Sequence, residues 1–447
     1  MVLLMKNFKN KVINFFKPNE WRLVEYPRKP KLYKVFLLLS FLTINFYFWK
    51  SIATLIPIVP YLIMLYFDLK SIQIFLKLRK KDNSLIEKQL RYVIHSNKLF
   101  DEEMIEVREN QKVTQQKVIT RVIQIFFKEN ENKVYISIRR TGDRFTLKAK
   151  EITEFITSGI GLEHEETVVG IDYVELTYMK TRPVRLYVNN TDKEKLNKSL
   201  NINLGYGITY SPVECPHILV SGGTGSGKSV FISWFIIELL KRNSMIYIAD
   251  PKNSDLGSLS HYLGVEKVGT TPNNIARIVR LAVEEMQERY EYMNDTKNFK
   301  YGSNFVDHGF KSIWVLFDEM GAFQANATDK KSKEVVSEVM NGIKKIILLG
   351  RQCGVFCLIS AQQMSANTLN TDLRDNLGLR ISLGSNSQVG YRMVFGEAVP
   401  EIMPTIEVKG AGLLYMQGSG KESAQYWESP YVDMKKFDFI EELKKYV

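Results

Sequence analysis

Four hundred and forty-seven residues is too long for one compact domain, and a chain with 45% apolar and 25% charged residues is neither wholly disordered nor a fibrous repeat. Its 61 Lys and Arg outnumber its 49 Asp and Glu, and the net charge of +12 suits a polyanionic partner, either nucleic acid or an anionic membrane surface. Three cysteines, Cys215, Cys353 and Cys357, make no even-numbered framework, which argues against a disulfide-stapled secreted protein. Cys353 and Cys357 have no second pair or His cluster nearby and read as small core residues rather than metal ligands.

The N-terminal part reads as a membrane anchor. Residues 1–31 form a basic segment, predicted to be cytoplasmic. Its first 17 residues set Phe8, Val12, Phe15 and Phe16 against lysines, as in a stretch lying on the inner leaflet or in a solvated tail. From Val35 to Phe67 the only charge is Lys50. One span needs about 20 apolar residues, and this run is too long for one. A helical hairpin over 32–69 is predicted, turning at Trp49 to Ser51, with Pro57 and Pro60 kinking its second span. Basic flanks on both sides, from Lys6 to Lys34 and from Lys70 to Lys81, put both ends in the cytoplasm, which an even number of spans satisfies.

Helix-period patterns with mixed charge, such as SLIEKQLRYVIHSNKLF, predict a helical juxtamembrane linker over 70–128. A small α/β domain is predicted over 129–200. Its strand-like runs are KVYISIRR (133–140), YVELTYMK (173–180) and VRLYVN (184–189), and its helical segment, 147–162, repeats Ile152, Phe155, Ile156 and Ile160. No catalytic constellation is visible there, and it reads as a spacer and assembly domain.

The strongest signal is HILVSGGTGSGKSVFISWFIIELL (217–240), in which an apolar strand enters G-x-x-x-x-G-K-[ST] and an apolar-periodic helix leaves it. Gly222, Gly223, Thr224, Gly225, Ser226, Gly227, Lys228, Ser229 and Val230 are the predicted ATP cradle. The glycines turn backbone N–H groups toward phosphate, Lys228 supplies charge to the β- and γ-phosphates, and Ser229 places a hydroxyl on Mg²⁺. SIWVLFDEM (312–320) is the matching buried strand ending in acid. Asp318 is predicted to hold the Mg²⁺ shell, and Glu319 to polarise the attacking water, which implies hydrolysis rather than binding alone. A third strand, GVFCLISAQQ (354–363), ends in Gln362, the better placed of its two glutamines to sense the γ-phosphate. MIYIADPK (245–252) is a further buried strand. Alternating strands and helices over 201–434 predict a mostly parallel α/β sheet of the P-loop NTPase, RecA-like class, with ligand beyond the carboxyl ends of its strands. Residues 435–447 are left as a C-terminal tail.

From about Asn203 onward the sequence resembles the FtsK/SpoIIIE branch of the FtsK–HerA DNA-pumping ATPases. Pro216-His217 leads into GGTGSGKS, Asp250-Pro251-Lys252 matches its D-P-K, and EEMQERYEYM (284–293) matches its E-M-x-x-R-Y. LGRQCGVFCLISAQQ (349–363), LRISLGSNSQVGYRMVFG (379–396) and KGAGLLYM (409–416) match three later segments. The departures are Ser360-Ala361 before Gln362, Gly390-Tyr391 where the family has Asp-Ser, and Leu413 for an Asp. With no long linker or DNA-reading winged-helix domain visible after the motor, the plan is more similar to the TcpA-type coupling ATPases of Gram-positive conjugative elements.

The resemblance implies a ring, commonly hexameric, that threads DNA through its pore with ATP between subunits and an arginine acting in trans. Arg351, Arg380 and Arg392 are the candidates, with Arg380 preferred because it starts the R-I-x-F-like strand. Asn386, Ser387 and Gln388 are polar enough to track a DNA backbone, whereas Lys330, Lys331 and Lys333 read as a solvated helix start. The expected function is a membrane-anchored DNA translocase feeding a conjugation channel, with a relaxase and channel proteins as partners. The alternatives are a chromosome-segregation pump and an FtsK-like protein-secretion ATPase.

Overall fold

The computed structural model describes residues 21–26, 84–109, 112–189, 199–364, 369, 371–433 and 435–447. The predicted hairpin over 32–69 lies outside them. Among the described residues no helix is long and apolar enough to cross a membrane. The chain divides into two compact units, Met1–Thr181 and Arg182–Val447.

In the first unit the described elements are β1 (Arg22–Leu23), α1 (Leu85–Ser96), β2 (Phe100–Glu109), β3 (Lys112–Val122), β4 (Ile125–Glu129), β5 (Lys133–Arg139), α2 (Phe145–Glu151), α3 (Thr153–Ile160), β6 (Glu163–Val169) and β7 (Tyr173–Met179). An antiparallel sheet in the order β1-β4-β5-β7-β6 carries the core. Along β5, Val134, Ile136 and Ile138 are buried and alternate with less buried residues, as expected for a sheet covered on one face. Leu90, Val93 and Ile94 of α1 join Ile156 and Ile160 of α3 in that core. Gly159 lets the two helices meet, since a Cβ there would stand 2.5 Å from Val93 Cγ2. Phe155, predicted to be apolar-facing, is 54% exposed.

The linker prediction over 70–128 needs correction. Among the described residues of this stretch helix forms only at Leu85–Ser96, and residues 100–109 and 112–122 pair as an antiparallel β-ribbon. Its two strands carry Ile105, Val107, Val113, Val118, Ile119 and Val122, β-branched residues that favour the extended backbone. The boundary at 200 also moves. Residues after Thr181 belong to the second unit, where β8 (Tyr187–Val188), the predicted third strand of the middle domain, pairs in parallel with β19 (Tyr431–Val432).

The second unit continues with β9 (Ile202–Gly205), β10 (Ile208–Tyr210), β11 (Ile218–Gly222), α4 (Lys228–Lys241), β12 (Met245–Ala249), α5 (Ser260–Leu263), β13 (Val268–Gly269), α6 (Pro272–Asn294), β14 (Ile313–Phe317), α7 (Met320–Ala325), α8 (Lys330–Cys353), β15 (Val355–Ala361), α9 (Thr371–Asp375), β16 (Leu379–Leu383), α10 (Gln388–Phe395), β17 (Ala411–Met416), β18 (Gln425–Glu428), β19 and α11 (Phe439–Leu443). Its eight-stranded sheet runs β13-β12-β14-β15-β11-β16-β17-β18. The strands from β13 to β16 are parallel, and β17 and β18 are antiparallel additions at one edge. Both faces are covered. Ile313, Val315 and Phe317 of β14 pack with α6 and α8, while Trp314 and Leu316 pack with α4 on the other face. Burial on both faces is why these strands read as unbroken apolar runs. Helix α8 starts at an Asp329 capping box, in which Ser332 N–H donates to Asp329 Oδ1 at 2.9 Å, and Lys330, Lys331 and Lys333 are exposed on its first turn. The predicted C-terminal tail is partly folded, with Leu443 of α11 fully buried in the core that holds α4.

His217 introduces β11 in a left-handed conformation (φ 58) and is buried, its Nδ1 accepting from Cys357 N–H at 3.1 Å. Burial pushes its imidazole down to about 3. The folded protein therefore keeps His217 neutral while the unfolded chain takes up a proton below about pH 6.5, so this stability is present above that pH and lost as pH falls toward 3. Unfolding free energy measured from pH 6.5 to 4 is expected to fall less in His217→Asn than in the parent, by at least about 1 kcal/mol. Equal slopes would remove this account.

Candidate nucleotide site

The site is built at the carboxyl ends of the central strands. β11 delivers the phosphate loop and α4 leaves it, so Gly222 to Ser229 curl around the helix N-terminus, where free N–H groups and the helix dipole favour an anion. Gly227 has φ 101, a conformation that suits glycine, and a Cβ on it would stand 3.2 Å from Gly410 Cα. At Gly222 a Cβ would meet Ser226 Oγ at 2.5 Å, because Ser226 folds its hydroxyl under the loop.

Strand order assembles the rest. β15 lies between β14 and β11, which brings residues far apart in sequence onto one Lys228. Lys228 Nζ donates to Asp318 Oδ1 and to Ser360 Oγ, each at 3.0 Å, and sits 3.6 Å from Glu319 Oε2. Ser360 Oγ also donates to Asp318 Oδ1. Glu319 turns the chain off β14 in a left-handed conformation (φ 54), a strain of order 1 kcal/mol that brings its carboxylate into the cleft. Gln362 N–H donates to both Glu319 oxygens at 3.2 Å, and Lys252 Nζ lies 3.2 Å from Oε2. Buried Asp250 shapes the loop that carries Lys252, accepting from the N–H groups of Lys252, Ser254 and Gly257 and from Ser254 Oγ.

These groups surround a cavity of about 340 Å³. Of the predicted cradle, Gly222, Gly223, Thr224, Gly225, Gly227, Lys228, Ser229 and Val230 line it, together with Asp318, Glu319 and Gln362. Ser226 supports the loop without lining the cavity. Sequence reasoning gave no role to Ser360, Lys252 or Lys409, which the fold adds: Ser360 within hydrogen-bond reach of Lys228, Lys252 and Lys409 in the cavity wall. The D-P-K match was the available signal for Lys252; Ser360 showed only as a departure from the family pattern.

The donor set fits a magnesium nucleotide. Ser229 and Asp318 offer hard oxygen ligands beside a cradle for phosphate oxygens. Among the described residues no cluster of three or more His, Cys, Asp or Glu side chains could hold a metal by itself. That is the usual situation for Mg²⁺, which is held by one or two protein oxygens plus substrate phosphates and water.

Arg380, the arginine preferred for a role in trans, is engaged within its own chain. It is buried, its guanidinium donates to the carbonyls of Leu377 at 2.9 Å, Phe395 at 3.0 Å and Asp375 at 3.4 Å, and its ring neighbour is Tyr415. It pairs in register with Leu219, well before the phosphate end of β11. Sequence spacing could not show that the side chain is committed to its own chain. Arg351 is exposed and donates to Val213 O at 3.2 Å, whereas exposed Arg392 on α10 makes no side-chain hydrogen bond or ion pair with the described residues.

Comparison with known proteins agrees with this geometry. Residues 190–386 match the FtsK/SpoIIIE family. The FtsK domain-containing protein YdcQ of Bacillus subtilis (strain 168) is 28% identical over 364 residues, spanning 80% of this chain and 73% of YdcQ. The DNA translocase FtsK of Staphylococcus aureus (strain Mu50) is 26% identical over 249 residues, which is 52% of this chain but only 31% of that protein. Among solved structures, the ATPγS-bound monomer form of the pCW3 conjugation coupling protein TcpA is similar in fold, with a TM-score of 0.51 and 18% identity, covering 80% of this chain and 98% of TcpA. Residues 190–386 thus match the FtsK/SpoIIIE family, and the phosphate loop with Lys228, Asp318 and Glu319 makes this chain a P-loop ATPase.

Proposed function

We propose that this chain is a membrane-anchored DNA translocase that hydrolyses ATP and delivers DNA to a conjugative transfer channel. The observation that carries the ATP chemistry is the convergence of Lys228, Ser360, Asp318 and Glu319 at the phosphate loop. Lys228 and the loop amides hold the triphosphate. Glu319, fixed by Gln362 N–H and Lys252, takes a proton from the attacking water. Ser229 and Asp318 would hold Mg²⁺, which would supply charge neutralisation to the phosphates when bound.

DNA as cargo is supported by the FtsK relatives, which are named DNA translocases, and by the net charge of +12. Conjugation is supported by the fold likeness to pCW3 TcpA, which extends over more of this chain than the motor unit alone. The apolar run at 35–67, with basic flanks, supports a two-span anchor with the N-terminus and motor in the cytoplasm. The working form in this reading is a homo-hexamer, with a relaxase and channel proteins as partners. Arg392, exposed and without a side-chain hydrogen bond or ion pair among the described residues, takes the trans role.

The test is the ATPase rate of the full chain with and without DNA. Sequence-independent DNA is expected to raise it several-fold, with salt weakening the effect because the contacts are to phosphates, and Lys228→Ala is expected to abolish it. Stimulation by a secretion substrate protein and not by DNA would replace this reading with a protein-secretion one.

A further inference from the structure

The ribbon β2–β3 is a two-stranded sheet of its own, about 30 Å long, hydrogen-bonded to no other strand among the described residues. Its base is fixed. Phe100 stacks on Tyr26 with ring centroids 5.2 Å apart, Arg144 donates to Phe100 O at 2.9 Å and pairs with Asp101, and Arg121 lies 3.4 Å from Asp143 Oδ2. Beyond the base the side chains of residues 102–106 and 115–118 are exposed, the apolar Met104, Ile105 and Val118 among them. A lone two-stranded ribbon is marginal in water, and each outer edge is a row of backbone N–H and C=O groups ready to pair with another strand.

The charges select that strand. β2 carries Asp101, Glu102, Glu103, Glu106 and Glu109 against one base, Arg108, whereas β3 carries Lys112, Lys117 and Arg121 and no acid. The acids of β2 repel a polyanion, so neither DNA nor an anionic membrane suits that edge. Two copies meeting β2 to β2, or β3 to β3, would set like charges side by side. The β2 edge of one copy against the β3 edge of another sets opposite charges side by side. Among the described residues Lys117 meets Glu102 at 3.9 Å across the ribbon, while Glu103 and Glu106 have no ion-pair partner.

We propose that the ribbon is a head-to-tail assembly surface whose occupant is a second copy of this chain: β2 of each protomer adds to β3 of the next and extends the ribbon into a shared sheet. The two edges differ, so the contact is heterologous, and it closes into a ring when the rotation per protomer allows. Closure leaves no free edge, which removes the hazard of uncontrolled strand addition. The inference rests on the homo-oligomer of the proposed function and names one of its contacts.

The experiment is sedimentation of the full chain and of two charge-reversed proteins. One carries Glu103→Lys with Glu106→Lys, the other Lys112→Glu with Lys117→Glu, all away from the ion pairs that anchor the base. Each variant alone is expected to self-associate roughly tenfold or more weakly than the parent, because like charges now face each other across the contact. An equal mixture of the two should regain the parental affinity, since every edge again meets its opposite. A purely structural fault in either variant would not be repaired by mixing. Carbodiimide coupling of unlabelled and ¹⁵N-labelled parent reads the contact directly: Glu103 or Glu106 of one copy should be joined to Lys112 or Lys117 of the differently labelled copy. Variants that associate like the parent, or a mixture that stays weak, overturn the ribbon assignment and leave the oligomer standing. A parent chain that stays monomeric at every concentration overturns the oligomer as well.

Discussion

With Glu319→Gln the protein should hold ATP without turning it over. General-base catalysis contributes about 10²–10⁴ in rate, and the steady-state rate is expected to fall by that amount while nucleotide affinity stays within a few-fold of the parent. Asp318 is a poor substitute base because Lys228 and Ser360 both bond the same oxygen, Oδ1. Glu319 is held differently, by a backbone N–H on both oxygens and by Lys252 from the side, which fixes its direction. Gln preserves the shape and the hydrogen-bonding capacity of one oxygen but cannot take the proton. Filter retention of labelled ATP alongside a phosphate-release assay reads both halves of the expectation. Release at the parental rate would remove the base assignment.

Arg392→Ala and Arg380→Ala should fail in opposite ways. A trans-acting arginine is worth roughly 10³–10⁵ in rate, so Arg392→Ala is expected to cut DNA-stimulated turnover by orders of magnitude with an unchanged melting temperature. Mixing it with a Lys228→Ala protein should restore part of the activity, since each protomer would lend what the other lacks. Arg380→Ala leaves the carbonyls of Leu377, Phe395 and Asp375 without their donor and opens a hole beside β16, a loss of about 3 kcal/mol of stability. Thermal unfolding and turnover measured together distinguish the two. Loss of turnover without loss of stability in Arg380→Ala would return the trans role to Arg380.

What was legible in the sequence was what is contiguous in it. The phosphate loop and the Asp318-Glu319 strand end each carry their chemistry within a few residues, flanked by apolar runs that the buried sheet requires. Ser360 was not legible because its role arises from β15 lying between β14 and β11, a pairing no local pattern encodes. Arg380 shows a related limit: it stands beside a motif in sequence, but whether a side chain faces a neighbour or its own carbonyls depends on packing. The ribbon strands at 100–109 and 112–122 resemble helix in sequence because their charged residues mask a β-branched content that periodicity alone weighs lightly. The folded C-terminal segment was missed because its anchor, Leu443, gains meaning only against α4.

Gly227 faces the backbone of Gly410 with room for no side chain between them, since a Cβ on Gly227 would stand 3.2 Å from Gly410 Cα. Gly410 is itself clamped: its carbonyl accepts from Ser429 N–H at 2.8 Å, Ala411 O accepts from Gly384 N–H at 2.8 Å, and Arg185 closes the space where a side chain would stand. A side chain at Gly227 would therefore have to push the phosphate loop away from the segment that leads into β17. The antiparallel margin of the sheet thus sets how far the nucleotide cradle can open on that side, and the absence of two side chains is what lets it close so near.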